Sequence, residues 1–209
     1  DPASALQYSE LFGPLPDTTG WPDEARPVPD SPEDPMEIAW QSMSEENRSE
    51  ATEVLVNIAK AIAAYEATLL PERAPIDDFI ALFQEDEEAA LESLSEEEAL
   101  GLRLFIGEGG CHFCHTGPLL SNLEFHNIGL GPRDWLDPLD LGRYDGITAL
   151  QESPFNTAGA WSDSPDGEAA GRVHRLNQAT EQLGQYKTPG LRQLSETAPY
   201  MHGGHFNTL

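Results

Sequence analysis

The 209 residues include 37 acidic and 11 basic side chains, which give a formal net charge of −26, and 39% of the residues are hydrophobic. A chain this negative is a poor partner for nucleic acid or an anionic membrane surface, and its length and apolar content argue against disorder throughout. It has no run of eighteen apolar residues, so no membrane-spanning segment is predicted.

Acidic residues are concentrated in the first 100 positions, which hold 25 of the 37 beside four basic residues. One interpretation is an acidic docking surface that steers a basic redox partner. The other is a solvated surface, which we prefer because runs of charge usually face solvent.

Residues 1–48 are predicted to form a proline-rich acidic arm. Eight prolines lie within the first 36 positions, a density that opposes long helices and favours extended backbone. Apolar residues are interspersed among them, so we expect the arm to pack along another surface. These residues are Leu6, Tyr8, Leu11, Phe12 and Trp21.

The clearest helix is predicted over residues 49–70. Apolar residues from Leu55 to Leu69 recur at intervals of three and four and form one stripe. Ser49 is the predicted N-cap, and Pro71 is predicted to end the helix.

Two weaker features follow this helix. Residues 79–83 predict a short amphipathic helix, and the acidic stretch 85–92 predicts a polar connection. Ser95 with Glu98 then forms a predicted capping box at the start of another helix.

From 116 to 186, glycine, proline, aspartate and asparagine dominate and predict long loops wrapped on a cofactor with little regular structure.

The sequence Cys-His-Phe-Cys-His at 111–115 is a C-x-x-C-H run, the attachment signature of a c-type haem. Cys111 and Cys114 can each form a thioether with one vinyl group of the porphyrin, while the imidazole of His115 reaches the iron. His112 is expected to face away. The run therefore predicts a redox protein with one covalent haem c.

The cysteines have two other conceivable uses, a redox dithiol and a zinc site. A redox dithiol should lie next to a βαβ pattern, and none is visible in the sequence. A zinc site normally needs four ligands, and the sequence has no second C-x-x-C and no H-x₃₋₅-H pair for a finger-like site. Covalent haem is therefore the preferred interpretation.

Several further segments occur in one order around this motif, and together they resemble the C-terminal half of the bacterial di-haem cytochrome c peroxidase family, which includes the methylamine-utilisation type of di-haem enzyme. The resemblance covers roughly residues 50–209, and more loosely Leu11–Gly13. Its segments are residues 95–107, the motif followed by Thr-Gly-Pro, Asn122–Leu130, Asp140–Arg143, Tyr186–Gln193 and Thr197–Gly204.

The resemblance implies a mostly α-helical protein. Residues 94–209 would form a cytochrome c-like haem domain with long irregular loops, and residues 49–93 would form an inter-domain helix and an acidic connection. The family has two haems, and its substrate-oxidising haem lies in the N-terminal half, whereas this chain has one motif. We therefore expect the catalytic half to lie outside this chain. The tryptophans inherit no catalytic role and are expected to pack; they are Trp21, Trp40, Trp135 and Trp161.

The sixth ligand of the iron has two candidates. By chemistry alone the Met201 thioether is attractive, because methionine opposite histidine makes an electron-transfer haem. In the family the sixth ligand lies on the helix that follows the Thr-Ala-Pro-Tyr-Met-His segment, so we expect it beyond Leu209. Met201 is then expected to pack beside the haem or a domain interface and is the fallback ligand.

The resemblance also implies a calcium ion, with the backbone carbonyls of Thr197 and Pro199 as possible ligands. The Pro118 carbonyl is a plausible acceptor for the Nδ1 hydrogen of His115. Arg192 is either a partner for a haem propionate or part of a surface salt bridge.

The remaining histidines are expected to be structural. His126 and His202 lie in motif segments, where we expect hydrogen-bonded positions near the haem. His174 and His205 lack motif context and are expected at the surface.

The predicted function is the electron-transferring portion of a di-haem peroxidase-type oxidoreductase, which passes electrons from a small donor protein to a catalytic haem outside this chain. Its partners would be an N-terminal haem domain or a companion redox subunit. One alternative is a monohaem cytochrome that acts as a carrier or as a subunit of a larger complex, and another is a structural module stapled by haem. Because covalent haem attachment takes place outside the bacterial cytoplasm, a periplasmic or extracellular location is expected.

Overall fold

The structure, a computed structural model, describes residues 2–131 and 139–209. The chain divides into two compact units, Asp1–Leu70 and Pro71–Leu209. Helices dominate the described residues, which confirms the predicted mostly α-helical class. The predicted boundaries at residues 48 and 93 stay predictions. None of the helices in the described ranges has the length and apolarity needed to cross a bilayer.

Three helices form the regular part of the first unit: α1 (Pro2–Phe12), α2 (Pro35–Ser42) and α3 (Glu45–Glu66). Helix α1 shows that the arm is less extended than its proline content predicts. Because Pro2 is the first helical residue and Pro14 lies two residues beyond the last, neither proline removes a hydrogen bond from the interior of the helix. Asn57 Nδ2 donates a hydrogen bond to the Tyr8 hydroxyl at 3.0 Å, whereas Leu6 and Leu11 are 63% and 74% exposed, so packing of the whole arm stays a prediction.

Helix α3 differs from its prediction at both ends. Ser44, not Ser49, is the N-cap, and its hydroxyl accepts a hydrogen bond from the Asn47 amide at 3.1 Å. The helix ends at Glu66 and not at Pro71. Both candidate caps precede acidic residues, so composition alone does not decide between them.

The second unit begins with α4 (Pro75–Glu85) and α5 (Glu87–Glu92). Helix α4 confirms the predicted amphipathic helix and extends it, with Phe79 buried. Helix α5 replaces the predicted polar connection. The Asp86 carboxylate caps α5 by accepting a hydrogen bond from the Ala89 amide, and Ala90 is fully buried. This acidic segment therefore forms a helix because it has both a cap and one buried position.

Helix α6 (Glu96–Ile106) confirms the predicted capping box. The Ser95 hydroxyl accepts a hydrogen bond from the Glu98 amide at 3.2 Å, and the Glu98 carboxylate accepts one from the Ser95 amide at 2.9 Å. Two amide donors at the helix start are thereby satisfied, which fixes where the helix that leads to the cysteine motif begins.

Ser95→Ala is expected to lower the free energy of unfolding by about 1 kcal/mol, because it removes the side-chain acceptor of the N-cap. Urea unfolding followed by circular dichroism measures the change. Ser42→Ala is the control, since the Ser42 hydroxyl donates to the Ala39 carbonyl at the end of α2 and caps no helix start. Equal losses in the two variants would contradict a specific capping contribution.

Regular structure between residues 116 and 186 exceeds the prediction of long loops. It comprises α7 (Arg143–Glu152), α8 (Glu168–Arg175) and strand β1 (Phe125–His126), which pairs antiparallel with β2 (Tyr186–Lys187). Both helices contain a glycine and start at a glycine without a side-chain cap, which explains why their sequences predict loop. Buried Ile147 on α7, with Ala170 and Val173 on α8, stabilises them by packing.

Candidate cofactor site

The cysteine motif occupies one tight turn directly after α6. Gly110 enters the turn with φ of +61°, a left-handed conformation that glycine adopts without strain. Cys111–Phe113 then form a single 3₁₀ turn, and the amides of Cys114 and His115 both donate to the Cys111 carbonyl at 3.2 and 2.9 Å. Both cysteines are free thiols, Cys111 exposed and Cys114 half-buried. The turn therefore presents two thiols and one imidazole from five consecutive residues.

The His115 ring is oriented by a backbone carbonyl. Its Nδ1 lies 2.9 Å from the Leu120 oxygen. Because a carbonyl oxygen can only accept, Nδ1 carries the hydrogen, and Nε2 is the nitrogen that can bind a metal. An imidazole held in this way is the usual arrangement of a metal-ligating histidine.

The carbonyl that accepts this hydrogen belongs to Leu120. The prediction that the Pro118 carbonyl accepts it was wrong. A turn in which the Leu120 amide donates to the Gly117 carbonyl, with φ of +52° at Leu120, brings the later carbonyl to the ring. The Pro118 carbonyl instead accepts a hydrogen bond from Arg192 Nε at 2.9 Å.

The segment after the motif, residues 116–122, folds back onto the cysteine turn, and we call it the proximal loop. The Ser121 amide donates to the Thr116 carbonyl and the Asn122 amide donates to the Cys114 carbonyl, both at 2.8 Å. Ser121 is buried, and its hydroxyl donates to the Thr188 carbonyl at 2.7 Å. The loop is thus fixed both to the motif and to the segment around β2.

Arg192 forms a two-point ion pair with Asp77 near the start of α4. Its Nη1 and Nη2 lie 2.5 and 2.7 Å from the two Asp77 carboxylate oxygens, and the two side chains are only 17% and 23% exposed. The hydrogen bonds from Arg192, followed by one from the Ala74 amide, hold the pKa of Asp77 well below its usual range. Of the two roles left open for Arg192, the structure shows a salt bridge, although a largely buried one.

His202 belongs to a second cluster in the same unit. Its Nε2 lies 2.7 Å from Asp140 Oδ2, and its ring stacks on Tyr186 at a centroid distance of 3.8 Å. Hydrogen bonds from His202 and from the Gly142 amide lower the pKa of Asp140. Burial, with the nearby Asp140 charge, raises the pKa of Tyr186. His202 is therefore hydrogen-bonded, as expected.

The other histidines follow the prediction with one exception. His126 Nε2 lies 3.1 Å from Asn122 Nδ2, so it is hydrogen-bonded, and His174 is exposed. His205 is half-buried and not a surface residue, and its Nε2 lies 3.0 Å from the Gly131 carbonyl oxygen.

The remaining candidates lie near the C-terminal end of the chain. Thr197 and Pro199 are exposed, and the Ala198–Pro199 peptide bond is cis; calcium binding by the carbonyls of Thr197 and Pro199 stays a prediction. Met201 is 50% exposed, and its role as packing residue or ligand stays a prediction. Trp21, Trp40 and Trp161 are half-buried, whereas Trp135 lies outside the described residues.

A covalent haem fits this donor set. The two thiols are free, and the Leu120 carbonyl holds Nδ1 of His115 so that Nε2 is left for the iron. Apolar side chains on and near the motif are available to cover the apolar porphyrin ring. These side chains are 49–75% exposed; they are Leu104, Phe113, Leu119 and Leu123.

Sequence reasoning missed the residues that support the motif from a distance. Asp77 carries no signal beyond its position in the first turn of a helix, where acidic residues are common. Leu120 acts through its backbone, so its side chain does not identify it. Ser121 and Thr188 have a partial signal, since Ser121 adjoins the resemblance segment Asn122–Leu130 and Thr188 lies within the segment Tyr186–Gln193.

Known proteins with similar sequences are haem peroxidases and their relatives. Cytochrome-c peroxidase IdrP1 from Denitromonas iodatirespirans is 33% identical over 153 residues, which are 71% of this chain and 37% of that protein. Cytochrome c peroxidase Ccp from Escherichia coli (strain K12) is 30% identical over 153 residues, 73% of this chain and 25% of that protein. Methylamine utilization protein MauG from Methylorubrum extorquens is 29% identical over 153 residues, 73% of this chain and 32% of that protein.

The chain spans about a quarter to two fifths of the length of these relatives. No family model matches the chain. No solved structure matches it either. The similarity confirms the resemblance drawn from the motif segments and supports a haem-based redox role with haem c as the cofactor.

Proposed function

Because the chain is a relative of the bacterial di-haem cytochrome c peroxidases and the MauG proteins, we propose that it is the electron-transferring haem portion of an oxidoreductase of this type. The observation that carries the proposal is the geometry of the cysteine turn. Two free thiols and an imidazole with a fixed tautomer lie within five residues, which is the donor set that covalent haem c requires.

Each residue of the turn has a separate task. Cys111 and Cys114 hold the porphyrin, and His115 ligates the iron through Nε2. The Leu120 carbonyl fixes the orientation of the imidazole and increases its donor strength. A bound haem supplies reversible one-electron chemistry, and the protein's contribution is to position it and to tune its potential.

The proposed partners are those that di-haem relatives imply. We propose that a catalytic haem lies outside the chain, in an N-terminal haem domain or a companion subunit, and that a small redox protein donates electrons. Calcium held by the carbonyls of Thr197 and Pro199 and a periplasmic or extracellular location belong to the same proposal.

A monohaem cytochrome that acts as an electron carrier is the second candidate. It requires only the one C-x-x-C-H motif that these 209 residues contain. A carrier and a peroxidase portion would share the same donor set and would differ in what surrounds it.

The proposal predicts that the native complex contains this chain with one covalent haem and a second haem supplied from elsewhere. Intact mass and a haemochrome spectrum count the haems, and a steady-state assay with peroxide and a reduced donor protein tests turnover. We expect turnover in the native complex and none in the isolated chain. Reversible one-electron redox without peroxide turnover in the native complex would favour the carrier, and protein without haem would overturn both candidates.

A further inference from the structure

The Asp77–Arg192 ion pair differs from the other arginine–carboxylate pairs that the described residues show. Its side chains are 17% and 23% exposed, whereas those of Arg73 and Asp78 are 67% and 71% exposed. It also joins residues 115 positions apart, while Arg73 and Asp78 are five apart. A two-point guanidinium–carboxylate contact that is largely removed from water fixes direction as well as distance.

Asp77 is held in place by the start of α4. Its Oδ2 accepts a hydrogen bond from the Ala74 amide at 2.8 Å, just before the first helical residue. Buried Phe79 anchors the same end of the helix. The carboxylate is therefore fixed before it contacts Arg192 and can serve as a rigid anchor.

Arg192 connects Asp77 to the proximal loop. Its Nε donates to the Pro118 carbonyl at 2.9 Å, and the neighbouring Leu191 amide donates to the Leu119 carbonyl at 3.3 Å. The approach is close, since a Cβ placed on Gly190 would lie 3.0 Å from the Leu119 oxygen. Two consecutive carbonyls of the loop are thus held by one short segment.

The next carbonyl in the loop belongs to Leu120, and it is the one that accepts the His115 Nδ1 hydrogen at 2.9 Å. Because the Pro118 and Leu119 carbonyls are held from outside, the direction of the Leu120 carbonyl depends on the same contacts. The strength of a hydrogen bond depends steeply on its angle, so a small rotation of this peptide weakens the bond to the imidazole.

We propose that Asp77 and Arg192 are positioning residues that set the hydrogen bond between His115 Nδ1 and the Leu120 carbonyl, and through it the reduction potential of the haem. This inference rests on the proposed function, since it requires His115 to ligate the iron. A strong hydrogen bond from Nδ1 makes the imidazole a better donor and favours the ferric state. Releasing the ion pair weakens that bond and favours the ferrous state.

Asp77→Ala and Arg192→Lys in the haem-loaded protein test the proposal. Lysine keeps the positive charge but cannot form the two-point contact. The matched controls are Asp78→Ala and Arg73→Lys, which make the same chemical changes in the adjacent exposed pair. Redox titration measures the potential, and hydrogen exchange measures protection of peptides that cover residues 116–122 and 188–192.

We expect a higher reduction potential and faster exchange of both segments in Asp77→Ala and Arg192→Lys, and values close to the parent in the two controls. Equal potential shifts in the Asp77 and Asp78 variants would show a through-space charge effect and overturn the inference. An unchanged potential in Arg192→Lys would also overturn it and leave the proposed function standing. If Asp77→Ala does not fold, the reduction potential of Arg192→Lys alone decides whether the inference holds.

Failure of the proposed function gives a different result. If the parent protein holds no haem, there is no potential to measure, and the requirement for iron ligation by His115 is not met. Hydrogen exchange would still report whether the ion pair orders the proximal loop.

Discussion

Replacing Cys111 and Cys114 together with alanine is expected to abolish covalent haem completely. The thioether bonds need a sulfur at each position, and no other cysteine exists in the 209 residues to substitute for either one. Haem staining after denaturing electrophoresis, together with intact mass, measures the loss. The double variant is expected to show the mass of the chain alone.

The single variants separate attachment from ligation. Cys111→Ala and Cys114→Ala each leave one thioether, so one vinyl group stays conjugated with the porphyrin and the haemochrome band moves to longer wavelength. His115→Ala removes the iron ligand but neither sulfur, and we expect an altered spectrum with any attached haem still covalent. His112→Ala is the control, because its ring contacts the Phe105 carbonyl oxygen at 3.4 Å and the Phe113 ring at a centroid distance of 4.2 Å and is assigned no haem role. Covalent haem in the double variant would refute thioether attachment.

Features that depend on neighbouring residues were predictable from the sequence. The capping box of Ser95 and Glu98 involves residues three positions apart, and the structure reproduces both of its hydrogen bonds. The spacing of Cys111, Cys114 and His115 likewise predicts that the three side chains lie close together, and in the structure a single 3₁₀ turn brings them together. In both cases the residues that form the feature are also the ones that identify it.

Features that depend on distant contacts, or on a backbone conformation that no side chain signals, were not predictable. The acceptor for His115 is set by a left-handed conformation at Leu120, a leucine whose side chain does not signal it. The partner of Arg192 lies 115 positions earlier, on a helix whose acidic first turn looks like many others. Helices α7 and α8 form through buried packing despite glycines that lower their intrinsic propensity. Tertiary contacts therefore decide the partner of Arg192 and the formation of α7 and α8, whereas the acceptor for His115 depends on a local turn.

The proximal loop combines a feature that was predictable from the sequence, the motif turn, with contacts that were not predictable. The motif turn positions the donors, but three separate contacts hold the loop that orients the imidazole: Arg192 on Pro118, the Leu191 amide on Leu119, and Ser121 on Thr188. The pairing of β1 with β2 brings the two halves of this arrangement together, with Phe125 opposite Lys187. The redox properties of the turn are therefore expected to depend on residues that never touch the haem.

Ser121→Ala provides the most direct test of that dependence. Ser121 is 9% exposed, and its hydroxyl both donates to the Thr188 carbonyl at 2.7 Å and accepts from the Leu123 amide at 3.0 Å. Alanine leaves a carbonyl and an amide without their partner in a place that water reaches poorly. A loss of about 1–3 kcal/mol in the free energy of unfolding is expected, as for a buried polar group left unsatisfied.

Urea unfolding measures this loss, and Ser162→Ala is the matched control, because its hydroxyl accepts one exposed hydrogen bond from the Ser164 amide at 3.1 Å. Water can replace the lost partner there, so a change within about 0.5 kcal/mol is expected. Because the Ser121 contact also holds the loop that carries the Leu120 carbonyl, the haem-loaded Ser121→Ala protein should show a raised reduction potential. A variant that loses stability but keeps the parent potential would show that Ser121 only supports the fold and does not contribute to the orientation of His115.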